Sequence, residues 1–323
     1  MKNFLFFLFL LTLSCQKDLK KTPYSFYYWR THLTLDSQEK QTLQKAQGEH
    51  LYIRFFDIDK IDGRFQPVGV ITKDKSFVTS KKIVPVIFIT NKTWYGITNN
   101  EIQFLAENIF NLIQKKTKEL NLNTTHEIQI DSDWTTQTKH DYFKFLKRLK
   151  AISKGEISCT LRLHQVKDKD KTGIPPVSKG YLMCYATASP LDEQPKNSIL
   201  DVQTLKNYLS DIEKYPLRFD VALPIYSWGI VSNHLGKKRL INALTKENLL
   251  QNKNFKPISN SEFEVLTDDF YFGIYMSKGF RIKVEEISQE DLHETLAFLN
   301  KKLPTFEIVY YHLDSQFIKN YVF

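Results

Sequence analysis

Charged residues follow short apolar runs at several separate points of this sequence, in positions where they could do chemistry. Carboxyl groups occur at Asp57, Asp131 and Asp133, and His164 follows another apolar run. Two carboxyl groups on either side of a bond can protonate a leaving oxygen and activate a water molecule, as glycoside hydrolysis usually requires. We therefore take these four residues as the candidate catalytic set, with His164 as an alternative proton donor whose pKa the neighbouring Arg162 would lower.

The residues around this set suit a sugar ligand. Arginine binds oxygen-rich groups through paired hydrogen bonds, and flat aromatic faces can stack on sugar rings. The candidate substrate-binding residues are Arg54, Arg162, Trp134, Tyr185, Tyr226, Trp228 and Tyr311.

Structural interpretations of the same residues stay open. Asp131 could form a buried ion pair with a neighbouring arginine, and His164 could be an interior histidine held by hydrogen bonds. Trp134 and Trp228 could be platforms at a rim or anchors that pack a loop against the fold. Asp57 with Asp59 could bind Ca²⁺, but no third ligand is evident and no Cys/His spacing fits zinc, so we expect neither a metal nor a cofactor.

The elements that must position these residues alternate between strand-like and helix-like patterns. The strand-like runs are residues 26–31, 51–58, 84–90, 126–131, 157–164, 180–187, 218–225 and 306–313. The helix-like runs are residues 37–47, 99–120, 138–152, 200–212 and 289–303. Eight strands separated mostly by helices over about 300 residues predict an α/β fold, a (β/α)8 TIM-like barrel.

In such a barrel the candidate residues lie at the carboxyl ends of the strands, where sites form. Polar residues also interrupt the strands at a period of two, which places them on one face. This polar set is Arg30, Arg54, Gln129, Asp131, Thr160, Arg162, His164 and Asp220. Because a buried charge must be paired, we expect an interior ionic cluster in which Arg54 and Arg162 face Asp131, Asp133 or Asp57.

Two connections depart from the repeat. Residues 166–180, between the fifth and sixth strands, are too rich in proline, glycine and charge to predict a helix. Residues 268–288 predict a β-hairpin insertion between strands 7 and 8, with its turn at residues 277–279.

The amino terminus predicts export and lipid attachment. Lys2 and the apolar residues 4–13 form a signal-peptide pattern that is too short for a spanning helix. Ser14-Cys15 resembles a bacterial lipobox, and residues 16–18 resemble the export signal of Bacteroidetes surface lipoproteins. We expect residues 1–14 to be a signal peptide, residues 15–22 a lipidated Cys15 with its tether, and the localisation to be the outer membrane, exposed at the cell surface. An ordinary secretory leader with a free Cys15 thiol is the alternative.

Composition bounds the rest of the chain. With 42% hydrophobic residues, residues 23–323 can bury the core of one barrel domain, which we expect to be a monomer. The net charge of +9 comes from scattered lysine pairs rather than from one basic block, so we expect no nucleic-acid partner. Cys159 and Cys184 fall in apolar runs, which predicts buried thiols or, alternatively, a disulfide between neighbouring strands.

Several stretches together carry a family resemblance. LYIRFFDID, IQIDSDW, TLRLHQ, TGIPPV and ALPIYSWG resemble a group of Bacteroidetes-type surface lipoproteins of unassigned activity, whose barrels are similar to glycoside hydrolases. The resemblance covers most of the mature chain and implies the barrel, but transfers no catalytic residue. Three hypotheses follow: a hydrolase acting on an oligo- or polysaccharide, a noncatalytic glycan-binding or scaffold lipoprotein, and an envelope component without a small ligand.

Overall fold

Eight parallel strands form a closed barrel in the computed structural model, which describes residues 22–192 and 196–323. In chain order the first to eighth barrel strands are Tyr24–Tyr28, His50–Ile61, Lys82–Ile89, Glu127–Asp131, Glu156–Arg162, Lys179–Met183, Arg218–Pro224 and Ile308–Tyr311. The barrel closes because the first strand pairs with both the second and the eighth. This confirms the predicted (β/α)8 fold. The predictions for the leader, for Cys15 and for most of the tether fall outside the described residues.

Helices cover the outside of the barrel. They are Ser37–Lys45, Asn99–Glu119, Lys139–Ser153, Leu163–Lys167, Lys169–Thr172, Val202–Tyr208, Lys246–Leu250, Gln289–Lys302 and Ser315–Ile318, with 3₁₀ turns at Asn91–Trp94 and Ile212–Lys214. Capping boxes open several of them, including Thr98 with Glu101, Ser288 with Asp291, Asp36 with Glu39, and Thr245 with Asn248, because each side chain accepts a hydrogen bond from a backbone N–H that the helix leaves unpaired. The helix Lys246–Leu250 packs in the insertion between the seventh and eighth strands rather than on the barrel. Among the described residues, none of the helices has the length and apolar character needed to cross a membrane.

The helix Asn99–Glu119 shows how the outer layer packs. Its buried residues Ile102, Leu105, Ile109 and Ile113 recur every three or four positions, so they share one face. That face joins the hydrophobic core formed by the outward side chains of the barrel strands.

The interior of the barrel is polar and hydrogen-bonded rather than oily. The hydroxyl groups of Tyr52 and Tyr181 lie 2.9 Å apart, and Tyr181 also donates to Glu127 at 2.9 Å. Tyr27 donates to Gln129 Oε1 at 2.8 Å. Paired hydroxyl groups let bulky side chains fill the barrel without leaving buried polar atoms unsatisfied.

The predicted polar face of the strands separates into groups. Asp220 bonds the Lys179 ammonium at 2.8 Å near the starts of the strands, away from the carboxyl ends. Arg30 follows the first strand on its outer side and bonds the fully buried Glu39 at 2.8 Å. The expectation that Arg30 faces the interior was wrong, because alternation places Tyr27 inside and therefore Tyr28 and Arg30 outside.

A β-bulge in the second strand brings Arg54 and Asp57 to the same side. The pairing with the third strand shifts between Arg54 and Phe56, so Phe55 is the extra residue. Without the bulge, two residues three positions apart would face opposite sides of the sheet. The bulge therefore allows both charged side chains to point into the barrel.

The insertion between the seventh and eighth strands is much larger than a hairpin. It is an antiparallel sheet of five strands, in the order Lys238–Asn242, Trp228–Ser232, Arg281–Glu285, Glu262–Val265 and Phe255–Pro257, with a hydrophobic core of its own. The hairpin pairs Asp269–Tyr271 with Ile274–Met276. A turn forms at the predicted residues 277–279, where the Phe280 N–H donates to the Ser277 carbonyl at 3.0 Å, but it leads from the hairpin to the strand Arg281–Glu285. The turn that closes the hairpin is Phe272-Gly273, both at positive φ (51° and 79°). A two-residue turn with positive φ matches the twist of paired strands.

Smaller features complete the fold. A short strand, Arg64–Val68, extends the second barrel strand antiparallel, and His32–Leu33 pairs with Thr72–Lys73. The connection after the fifth strand is helical over Leu163–Lys167 and Lys169–Thr172, which corrects the prediction of no helix there. Charged residues are compatible with short exposed helices, and the helix ends before Pro175-Pro176. Cys159 and Cys184 are free buried thiols, so the disulfide alternative is wrong.

Candidate functional site

A cavity of about 580 Å³ opens at the carboxyl ends of the barrel strands, and we call it the barrel mouth. Its walls come from both the barrel and the insertion. The lining residues are Trp29, Arg54, Asp57, Phe88, Asp131, Arg162, Met183, Tyr185, Ala186, Tyr226, Ser227, Trp228, Asn242, Tyr311, His312 and Phe317. Eight of the eleven residues that the sequence indicated for the catalytic and substrate-binding sets lie here.

Two carboxyl groups reach the mouth from strands that are next-but-one neighbours. Asp57 on the second strand is paired in register with Phe88 on the third, and Phe88 is paired with Asp131 on the fourth. Two strand spacings put the Cα atoms of the aspartates about 10 Å apart. Because both side chains line the same cavity, their separation suits the paired carboxyl groups of glycoside hydrolysis.

Asp57 is held by an ion pair. Arg54 Nε donates to Asp57 Oδ1 at 2.6 Å, and Arg54 Nη2 donates to Oδ2, so the contact is bidentate. The Arg54 guanidinium carbon also lies 5.8 Å from the centre of the Trp29 ring. Asp57 is therefore fixed in place, with both of its oxygens paired to one guanidinium group.

Asp131 is the carboxyl group suited to carry a proton. It is 5% exposed, and burial raises its pKa from 3.8 to about 6, with the negative charge of Asp133 as the second cause. The Thr160 hydroxyl donates to Asp131 Oδ1 at 2.6 Å, which fixes the orientation of the group. A carboxyl group with a pKa near neutrality can act as a general acid.

Asp133 belongs to the same charged cluster but does not line the mouth. Arg162 Nη2 donates to Asp133 Oδ2 at 2.7 Å, and Arg162 Nε donates to Oδ1. Arg162 itself lines the mouth. The predicted ionic cluster is thus confirmed as two bidentate pairs, Arg54–Asp57 and Arg162–Asp133, with Asp131 close to both. The sequence-based assignment of Asp133 as catalytic needs correction, because its place is that of a charge that raises the pKa of Asp131.

Aromatic rings line the other side of the mouth. Tyr311 is stacked on Tyr185 at 5.6 Å between ring centres, and it meets Trp29 edge-on at 5.3 Å. Tyr226 lies 5.3 Å from Trp228 and 6.1 Å from Tyr185. These partly exposed rings form a continuous wall opposite the ion pairs.

Trp228 is held in this wall by a buried glutamate of the insertion. Trp228 Nε1 donates to Glu285 Oε2 at 2.9 Å, and the backbone N–H of Ser198 donates to the same oxygen at 3.0 Å. Lys283 bonds the other carboxylate oxygen at 2.7 Å. Glu285 is 2% exposed, so the insertion and the loop after the sixth strand are both tied to the wall through one carboxylate.

Two uncharged polar groups of the mouth have no partner within the described part of the chain. The Ser227 hydroxyl and His312 Nδ1 are buried and accept or donate no hydrogen bond there. Burial lowers the pKa of His312 to about 4, so its imidazole is neutral at neutral pH. Both side chains line the mouth, but these two polar atoms are themselves buried behind its surface.

Two predicted site residues lie outside the mouth. Trp134 is fully buried, stacked 5.0 Å from Tyr142, and donates to the Thr172 carbonyl at 3.0 Å. Its position is that of a loop anchor away from the mouth, and its role in substrate binding stays a prediction. His164 lies on the helix Leu163–Lys167 because the fifth strand ends at Arg162, and it is exposed to solvent. Its pKa is lowered by burial first and by Arg162 second. The side chain does not line the cavity, and its catalytic role stays a prediction.

The acidic residues considered for Ca²⁺ have cationic partners instead. Asp59 bonds the Lys92 ammonium at 2.8 Å and accepts from the Thr90 hydroxyl at 2.7 Å. Over residues 22–192 and 196–323 no group of three or more His, Cys, Asp or Glu side chains is placed to hold a metal ion.

Sequence reasoning missed several residues of the mouth, among them Trp29, Phe88, Asn242 and Glu285. Trp29 was within reach, since it directly follows the first strand in the position that alternation assigns to the interior. Asn242 and Glu285 come from the insertion, whose sheet pairing gives no local signal.

Comparison with known proteins supports the fold alone. No protein-family model matches the chain, and no curated protein matches it significantly in sequence. Its structure is similar to the spore cortex-lytic enzyme SleL of Bacillus cereus, with a TM-score of 0.55 and 12% identity over 93% of this chain and 74% of that one. It is also similar to a chitinase of Chromobacterium violaceum, with a TM-score of 0.55 and 10% identity over 93% and 97% of the two chains. A third similar structure is a chitinase of Trichuris suis, with a TM-score of 0.54 and 11% identity over 92% of this chain and 93% of that one.

Proposed function

We propose that this protein binds a neutral glycan in the barrel mouth and hydrolyses it. The observation that carries the proposal is the division of the mouth into two sides. One side presents aromatic rings, and the other presents a protonatable Asp131 beside charges that already balance one another.

The chemistry assigned to the two carboxyl groups follows from their electrostatics. Protonated Asp131 gives its proton to the glycosidic oxygen while the bond from that oxygen to the anomeric carbon breaks. Water attacks the anomeric carbon and passes a proton to the Asp57 carboxylate, which Arg54 orients. Asp133 and Arg162 do not react; burial is the main cause of the raised pKa of Asp131, the charge of Asp133 raises it further, and the charge of Arg162 lowers it.

Noncatalytic glycan binding is a second candidate, and a specific contact favours it. Asp57 is held in a bidentate pair with Arg54, so both of its oxygens already accept hydrogen bonds and neither is free to receive a proton from water. If the Arg54–Asp57 pair stays closed, the aromatic wall binds a glycan that the protein does not cleave.

One experiment separates these candidates. Purified protein is incubated with a panel of neutral polysaccharides, and reducing ends and binding are both measured for the wild type, Asp131→Asn and Asp57→Asn. Hydrolysis predicts release by the wild type, a loss of at least about 100-fold in each variant, and retained binding. Binding without release in the wild type would establish the second candidate, and neither binding nor release would refute both.

We further propose that Cys15 is lipidated and anchors the protein at the outer face of the outer membrane. The pattern of residues 2–18 supports this. Two or more lipid chains anchor a protein stably, whereas one chain binds weakly. Cys15→Ser is expected to move the protein out of the membrane fraction and to abolish labelling by a fatty-acid precursor. Resistance of the wild type to added protease on intact cells would contradict the outward-facing address.

A further inference from the structure

A second cavity lies on the insertion, separate from the barrel mouth. It has a volume of about 470 Å³ and is lined by Val231, Lys237, Lys238, Arg239, Tyr275 and Phe280, together with Asn233 and Ile274. Strand pairing sets Arg239 opposite Val231, whereas Trp228 alternates onto the other face of the same sheet. The insertion cavity therefore opens on the face that points away from the Trp228 wall.

Exposed aromatic rings stand beside this cavity. Phe270 and Tyr275 are directly opposite each other in the hairpin, with ring centres 5.3 Å apart, edge to face. Phe270 is 72% exposed and Tyr275 is 51% exposed, although Tyr271 and Met276 on the other side of the hairpin are buried in the core of the insertion. The hairpin is thus anchored by one face and presents two aromatic rings on the other.

The charge of the insertion cavity has one sign. Among its described lining residues there are three cations and no carboxylate. The Lys238 ammonium is engaged, since it donates to the carbonyl groups of Leu191 and Asp192 at 3.0 Å each. Lys237 and Arg239 are exposed, and in the part of the chain that the structure describes neither is paired with a carboxylate. This differs from the barrel mouth, where each arginine has its own aspartate.

We propose that the insertion cavity is a binding site for an acidic polysaccharide. Sugar rings stack on Tyr275 and Phe270, while Arg239 and Lys237 bind the carboxylate or sulfate groups of the chain. Lysine and arginine at an edge strand also discourage pairing between sheets, and Lys238–Asn242 is an edge strand. That role explains charges on the strand, but it does not explain why two large aromatic rings beside them are left in solvent.

The test measures binding of polygalacturonate and of neutral dextran to the full chain by affinity electrophoresis at 20 mM and 200 mM NaCl (about 20 and 7 Å Debye lengths). The wild type is expected to bind polygalacturonate, and less tightly at the higher salt concentration, whereas any binding of dextran at the barrel mouth should not depend on salt. Tyr275→Ala and the double variant Lys237→Gln/Arg239→Gln should each weaken binding at least fivefold. Asp131→Asn should leave it unchanged, which separates this site from the proposed function of the mouth.

The matched control is Lys147→Gln/Arg148→Gln, which removes the same charges from an exposed stretch of the helix Lys139–Ser153. An equal loss of binding in the control would overturn the proposal, because binding would then reflect overall charge. Binding of dextran that Tyr275→Ala and the double variant weaken as much as they weaken binding of polygalacturonate would also overturn it, because the cavity would then not select for acidic groups. A third contradicting result is binding of phosphatidylglycerol vesicles but not of polygalacturonate, if the double variant abolishes the vesicle binding. The partner would then be a membrane surface. Self-association of the double variant without any polysaccharide binding by the wild type would assign the charges to edge protection.

Discussion

Replacing Asp131 by asparagine should stabilise the protein at neutral pH while removing its proposed activity. Burial raises the pKa of Asp131 from 3.8 to about 6, so the folded protein binds this proton more tightly than the unfolded chain does. A carboxyl group whose pKa is higher in the folded state contributes its full stabilisation below pH 3.8, and this contribution is lost as the pH rises through 6. The shift of about two units corresponds to about 3 kcal/mol. The asparagine side chain keeps an oxygen that can accept from the Thr160 hydroxyl, and it never ionises.

The assay is urea unfolding followed by tryptophan fluorescence at pH 4 and pH 7.5 for the wild type and the Asp131→Asn variant. At pH 4 the wild type has already lost a small part of the stabilisation that this proton provides. The stability of the variant relative to the wild type should therefore rise by about 2–3 kcal/mol between these pH values. Asp62→Asn is the control, since Asp62 is exposed in a turn at positive φ that asparagine tolerates, and it should show no such change. An Asp131→Asn difference that is the same at both pH values would refute the assignment of Asp131 as a buried carboxyl group that is protonated near neutrality.

Three further perturbations probe the supports of the mouth. Glu285→Ala should lower the unfolding free energy by about 2–4 kcal/mol, because it leaves the Trp228 indole N–H and the Ser198 backbone N–H unpaired. Glu285→Gln should recover part of this loss. Urea unfolding and glycan affinity are measured for both variants. Arg54→Met should cost about 1–3 kcal/mol by leaving the partly buried Asp57 without its partner, and adding Asp57→Asn should restore stability in a double-mutant cycle. Trp134→Ala should cost about 3–5 kcal/mol and leave glycan affinity within about twofold of the wild type, since the ring packs on Tyr142 behind the barrel; a large change in affinity at unchanged fold would return Trp134 to the site.

The barrel could be predicted from the sequence because its signals are local. Apolar runs such as residues 84–90 and helices with capping residues such as Thr98 each report their own conformation, and their alternation limits the topology to few choices. The candidate site followed from one further rule, that strand ends meet at one edge. This placed Asp57, Asp131 and Arg162 together without any knowledge of their contacts.

The rest depended on geometry that no short stretch reports. The bulge at Phe55 changes which side chains of the second strand face inward, and it is set by pairing with the third strand. His164 lies outside the mouth because the fifth strand ends two residues before the end of its apolar pattern. Trp134 lies outside it because a side chain that follows a strand can turn outward into the helix layer as readily as inward. The five-stranded insertion was reduced to a hairpin because its strands pair across long separations, such as Trp228 with Glu285.

The place where a glycan binds is the most direct test of the proposed function. The decisive measurement is the crystal structure of the Asp131→Asn variant with an oligosaccharide that the wild type binds or cleaves. We predict sugar rings against Trp228 and Tyr185, with a glycosidic oxygen within hydrogen-bond distance of the amide that replaces the Asp131 carboxyl group. An oligosaccharide bound only outside the barrel mouth, with the ion pairs Arg54–Asp57 and Arg162–Asp133 untouched by ligand, would contradict the account.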